Sequence, residues 1–233
     1  VVAACAVVAL TGCGKSGTSV EPKASKPLEP AKVAPGQERQ LFPLVVGNQW
    51  VYESHLVAQG GNRMQEQDAI VTIKVQSVTD DAGKTKAIVE ATNDQDDSKD
   101  RQVWIVDNTG IYQSSVGRKP IFFEPLQPVV KFPVQQGDKF TWKGKGYRPL
   151  GSPGSYTAES VVLASEEVDT GLGKMSAIPV ESVANYRWQN RDVQVRSTAW
   201  WVPKIGFVRY VVTVSFPEGG YRRTLRLKSH SLK

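Results

Sequence analysis

Histidine and cysteine are the scarcest chemistry-bearing residues of this chain, two of each in 233. That scarcity excludes a disulfide scaffold and a metal site built from His/Cys clusters, and it leaves little room for histidine-based acid–base catalysis. His55 and His230 lie far apart, and neither sits in a nucleophile-elbow or metalloprotease spacing. Long apolar runs are also scarce. The ten residues VVAACAVVAL at the start would span only ~15 Å as a helix, about half a hydrocarbon core, which is too short for a transmembrane anchor. From residue 41 onward no window carries a convincing helical stripe, which argues against parallel βαβ folds. What remains is 40% hydrophobic and 22% charged with a net charge of +6, the composition of a globular chain with a basic balance.

Residues 1–12 read as the apolar part of a secretory signal, so the chain is expected to begin inside a longer precursor. Leu10-Thr11-Gly12-Cys13 resembles the lipobox of bacterial lipoproteins. The resemblance implies cleavage before Cys13, transfer of a diacylglyceryl group to its thiol, palmitate among the acyl chains on that residue, and membrane attachment through it. Two or three acyl chains hold a protein stably where one is marginal. Gly14 is not the Asp that marks inner-membrane retention, which in an organism with two membranes implies the outer membrane, facing the periplasm. Residues 13–40 form the lipidated Cys and a Pro-rich tether, with Pro22, Pro27, Pro30 and Pro35 and almost no large apolar side chains. Its 27 residues after Cys13 would reach ~29 Å as a coil and ~84 Å fully extended.

Beyond residue 41 the pattern is β. Asp68–Thr79 places Ala69, Val71, Ile73 and Val75 on one face and Thr72, Lys74 and Gln76 on the other. Similar runs occupy 49–58, 85–93, 101–107, 110–116, 156–168, 193–202, 206–215 and 221–230, separated by Gly and Asp/Asn clusters. A repeat is superimposed on them. Phe42-Pro43 through Gly47-Asn48 to Trp50 aligns without gaps to Phe132-Pro133 through Gly137-Asp138 to Phe140. Trp104-Ile105-Val106 with Gly110 aligns likewise to Trp200-Trp201-Val202 with Gly206. Residues 41–233 are therefore expected to form a single β domain of two related units, 41–118 and 131–215, with a C-terminal strand at 221–230.

Three motifs, FPLxxGNxWxY at 42–52, GxGKxxAxxV at 171–180 and WWxPxIGxVRY at 200–210, make the chain resemble a group of uncharacterised bacterial envelope lipoproteins. The resemblance implies an all-β, open and curved antiparallel sheet, a half-barrel or incomplete barrel similar to that of lipoprotein carriers. It implies no cofactor and no catalytic residue.

Candidate sites follow from residue type. Trp200 and Trp201 are adjacent on a strand and must point to opposite faces, as must Phe122 and Phe123. Either both faces are covered or one aromatic set lines a groove for an apolar ligand. The segment Pro120–Pro133 either plugs the concave face or hinges away from it. Charge is uneven: residues 186–233 hold 10 basic and 2 acidic groups, while 41–185 hold 14 and 18. Arg222, Arg226 and Lys228 share a strand face, either as a solvated surface or as a contact for anionic lipid, lipopolysaccharide or cell-wall polymer. Asp94, Asp96, Ser98 and Asp100 imitate the start of a calcium loop, but Lys99 and Ile105 occupy positions that need Gly and Glu, so an acidic hairpin tip is the better reading.

The expected function is a lipid-anchored, non-enzymatic envelope protein that binds or scaffolds at the membrane surface, with an envelope protein as a further candidate partner. Nucleic acid is disfavoured by compartment. The rivals are a lipid carrier using the aromatic groove and a hydrolase using carboxylates such as Glu53 or Glu181.

Overall fold

The computed structural model describes residues 28–150 and 153–233. Cys5, Cys13, the signal segment and most of the tether lie outside the described residues.

From Gln49 onward the chain is almost continuous strand. The strands are β1 (Gln49–Gly60), β2 (Arg63–Asp81), β3 (Lys84–Asn93), β4 (Asp96–Val106), β5 (Gly110–Val116), β6 (Ile121–Lys131) and β7 (Lys139–Gly146). They continue as β8 (Gly154–Val162), β9 (Glu166–Thr170), β10 (Gly173–Trp188), β11 (Arg191–Val202), β12 (Gly206–Phe216) and β13 (Gly219–Ser231). Each strand pairs antiparallel with its neighbours. The ring closes because β13 returns to β1, pairing from Gly60↔Gly219 to Gln49↔Ser231 with one bulge at Val51/Tyr52.

The expected open half-barrel is thus overturned: twelve strands form a closed up-and-down barrel, and β9 lies outside it, paired only to the first residues of β10. Two strands with no clear signal in the sequence complete the wall. In β10, Ala177, Ile178, Pro179 and Val180 are all buried, so the alternation that marks a strand is lost there. This long strand joins β8 to β11. The other is β6, the segment read as a plug or lid. It is wall, although Pro125 and Pro128 supply no N–H. Its ladder to β5 is broken by two irregularities, and its ladder to β7 is a single pair, Glu124↔Lys145.

The sequence repeat is visible in this wall. Strands β1–β6 form one half of the ring, and β7, β8 and β10–β13 form the other. Gly47 and Gly137 both sit at φ +89°, a conformation only glycine adopts without strain. The Gly47 N–H donates to Val75 O (3.0 Å) while Asn48 O accepts from Val75 N–H (2.9 Å). The Gly137 N–H donates to Val162 O (2.8 Å) while Asp138 O accepts from Val162 N–H (2.9 Å). The second motif keeps its strand but not its face: Trp104 points inward, whereas a register shift at Trp200/Trp201 turns Trp201 inward instead. The sixth strand of each half, β6 and β13, is the part that the expected unit boundaries left out.

The ring has two unlike ends. An eight-stranded barrel is just filled by its own side chains, so twelve strands need additional material inside. At the proximal end, where the N-terminal segment arrives, that material is residues 31–46. Ala31 N–H reaches the hydroxyls of Ser165 (2.9 Å) and Ser176 (2.7 Å), Arg39 donates to Thr85 Oγ1 (2.7 Å), and Lys204 N–H donates to Gln40 O (2.9 Å). Leu41, Phe42 and Leu44 are buried. The Phe42 ring meets Trp50, Trp104, Trp201 and Phe207, from four different strands, at centroid distances of 5.4, 5.2, 5.7 and 6.2 Å. The β9–β10 hairpin caps the same end, burying Val168 and donating Gly171 N–H to Leu227 O (2.7 Å).

Candidate functional site

Away from the plug, the inward-facing residues change character. Alternation carries the inward face from the apolar row Val162, Val180 and Ala199 to Ser160, Ser182 and Ser197, which are register partners on β8, β10 and β11. On β12 and β13 the inward set is Tyr210, Val212, Tyr221 and Arg223, and on β1 it is Ser54, Leu56 and Ala58. Opposite them, β2 to β5 contribute Gln67, Ala69, Ala91, Asp100, Gln102 and Gln113. Ser182 and Ser197 remain partly accessible although both lie in the middle of a sheet paired on each side. Small side chains lining a wide ring leave space, and here that space is polar.

The distal end is narrowed by one connection. Residues 147–150 turn inward after β7, and Leu150 packs with Val193, Val212 and Val214. Tyr186 donates its hydroxyl to Pro149 O (2.5 Å), and the Arg148 guanidinium lies 5.1 Å from the centroid of the Tyr186 ring. Tyr147, 38% exposed, sits at the mouth. Behind it the Trp142 ring packs 4.7 Å from Tyr156, and Phe123 lies over Gly146 so closely that a Cβ there would collide with its ring.

Burial raises the phenol pKa of Tyr147, Tyr156, Tyr186, Tyr210 and Tyr221, with Tyr186 pushed up to about 12. Desolvation of the phenolate is the largest cause for each, and the mutual repulsion that several would feel if ionised adds to it. All five hydroxyls therefore stay protonated in the neutral range, and the Tyr186 hydroxyl is seen donating. Arg148 lies against the Tyr186 ring, and a second cation, Arg223, stands among Tyr147, Tyr210 and Tyr221. Arg223 faces inward between Leu56 and Val212 and donates Nε–H to Ser54 Oγ at 3.0 Å. Among the described residues no carboxylate lies within ion-pair distance of it.

The residues singled out in the sequence are dispersed. Trp201 is buried in the proximal plug, and its indole N–H meets no acceptor among the described residues. Phe123 is buried near Trp142 in a separate cluster. Trp200 points outward, with the Arg209 guanidinium 4.9 Å from its ring centroid and Glu166 accepting its N–H. Phe122 also points outward, 60% exposed, on the far side of the barrel wall. The four do not line a common groove. Arg222, Arg226 and Lys228 are exposed on the outer face of β13. Arg226 is held by Glu53, across β1, and Arg209 stands beside it on β12.

Charged and polar groups also cover the outer faces of β2 and β7, including Asp68, Lys74, Lys143 and Lys145, which a lipid-facing band does not tolerate. Glu53 and Glu181 are each paired to an arginine, Arg226 and Arg196. His55 Nδ1 meets Asp68 Oδ1 at 2.7 Å on the exposed outer wall, and Asp94 accepts the Ile70 N–H (2.8 Å) as a hairpin contact.

Sequence reasoning passed over Arg223, the serine row and the tyrosines. One signal was present: on 221–230, Arg223 shares the parity of Tyr221, Leu225 and Leu227, so a guanidinium interrupts an apolar face.

No family model and no curated protein matches the chain. Among solved structures, it is similar to a chain from Parabacteroides distasonis provisionally described as a lipoprotein, at 11% identity and TM-score 0.50, covering 88% of this chain and 100% of that one. A chain from Bacteroides fragilis, provisionally described as an exported protein with a YmcC-like fold, aligns at 11% identity and TM-score 0.45 over 82% of this chain and 98% of that one. The first likeness is one of fold.

Proposed function

We propose that this chain is a lipid-anchored protein of the bacterial cell envelope whose barrel is a non-enzymatic binding module, held at its proximal end and open to ligand at its distal end. The carrying observation is the route of the N-terminal segment. Residues 31–46, which include the last ten residues of the expected tether, enter the proximal end and plug it, which supports a polar lumen turned away from the attachment point. The lipobox-like Leu10-Thr11-Gly12-Cys13 supports the anchor, and the provisional lipoprotein description of the Parabacteroides neighbour points the same way. With charged groups on the outer wall, attachment rests on Cys13 rather than on insertion of the barrel, and in a two-membrane organism the periplasmic face of the outer membrane is the expected location. Serines, glutamines and an inward arginine make the lumen a host for polar ligands. An acyl chain would leave those groups unpaired, which disfavours lipid carriage.

Membrane fractionation of Cys13→Ala tests the anchor. The variant is expected to remain as unprocessed precursor or to appear in the soluble fraction, while wild type sediments with membranes and incorporates labelled palmitate. A processed, membrane-bound Cys13→Ala protein would overturn the reading.

A further inference from the structure

Arg222 and Arg223 are neighbours on β13 with opposite fates. Arg222 lies between Val57 and Thr213 on the outer face, in water. Arg223 lies on the inner face and is half-buried. A guanidinium does not shed its proton to escape burial, so a charge placed inside a wall is retained only where something compensates it. Among the described residues the side-chain hydrogen bond in place is to Ser54, which takes Nε–H and fixes the plane of the group. The Nη edge, the side that grips oxyanions with two parallel hydrogen bonds, has no carboxylate within ion-pair distance among the described residues. Around it stand Tyr147, Tyr210 and Tyr221, all protonated, with Ser197 hydrogen-bonded to Tyr210. Asp100, inward on β4 and exposed, faces the same mouth.

We propose that the distal lumen binds an oxyanion, a carboxylate or phosphate carried on a hydroxyl-rich molecule, with Arg223 gripping the anion and the tyrosine and serine hydroxyls bonding the remainder. Each partner fits its role. The arginine supplies a fixed fork, and the phenols donate to anionic oxygens and accept from hydroxyls. The opposite wall of Gln67, Gln102 and Gln113 offers both donors and acceptors. Asp100 disfavours an anionic group on its own side of the mouth. The site does not depend on the lipid anchor, so its test and the fractionation of Cys13→Ala fail separately.

The test is a titration of the full chain in non-ionic detergent, followed by NMR of the arginine Nε–H and backbone amide signals. The probes are D-gluconate, inorganic phosphate and sorbitol, the last a neutral polyol of matching size. Gluconate or phosphate is expected to shift the Arg223 and Ser54 signals saturably while sorbitol is weaker by about tenfold or more. The tighter of the two anions identifies the oxyanion type. Arg223→Gln should weaken that anion by about tenfold or more, and Arg222→Gln should leave it unchanged within about twofold. If Arg223→Gln fails to fold, Arg223→Lys keeps the charge, loses the fork and should retain weakened binding. No shift of Arg223 in wild type, equal losses in both arginine variants, or equal binding of sorbitol would each overturn the proposal.

Discussion

The two ends of the barrel are walled by the same twelve strands and filled by opposite means. At the proximal end a segment from outside the ring enters it, and Phe42 is surrounded by four aromatic rings contributed by β1, β4, β11 and β12. At the distal end one short connection leans in, Leu150 covers part of one wall, and the rest of the interior is lined by hydroxyls, amides, the Asp100 carboxylate and the guanidiniums of Arg148 and Arg223. The duplicated motif makes the contrast sharper. Phe42 and Phe132 occupy equivalent places before equivalent glycine turns, yet Phe42 is fully inserted and Phe132 only packs against the edge of the core. Both segments arrive at the proximal end, and the ring takes the one before β1 as its plug. Stability is concentrated where the chain fills itself, and binding capacity where it does not.

Three perturbations separate the ends. Phe42→Ala should cost the most, about 3–5 kcal/mol by chemical denaturation, because it empties the centre of the plug. A loss below ~1 kcal/mol would mean that the wall supports itself. Leu150→Ala should cost about 1–2 kcal/mol, since the side chain is only partly buried. A cost equal to that of Phe42→Ala would make the distal end as solid as the proximal one. Alkaline pH gives the smallest effect in the neutral range. The phenol pKa values are raised on folding, so their contribution is intact below the unfolded value near 10 and is lost as pH climbs toward 12. Five of the six raised phenols lie at or near the distal lumen, so NMR signals of Leu150 and Val214 should broaden or shift before those of Phe42 and Trp201.

Much of this architecture was legible in the residues. The strands at 49–58, 68–79, 110–116 and 206–215 alternate because one face meets the interior and one meets water, and the glycine turns of the repeat announce strand starts. Closure was not legible. It depends on β13 finding β1, a pairing across the whole chain that no local pattern encodes. It also depends on β10, whose core stretch Ala177–Val180 is buried on both faces, and on β6, whose prolines argue against regular structure. The candidate site was harder still. Trp200, Trp201, Phe122 and Phe123 drew notice because they are large, but size marks what fills a core. Small residues mark a lumen, and a row such as Ser160, Ser182 and Ser197 becomes visible only when the register brings it together.

That row offers the most direct test of the central contrast. A cysteine replacing Ser197 points into the distal lumen, whereas one replacing Ala199, two residues along the same face, points into the proximal core. Both are introduced into a chain in which Cys5 and Cys13 are replaced by alanine, and exposed to a small, hydrophilic, charged thiol reagent in native buffer. The reagent should modify Ser197→Cys readily and leave Ala199→Cys protected until the protein is denatured. Equal protection of the two positions would contradict the account, because the interior would then be closed from end to end.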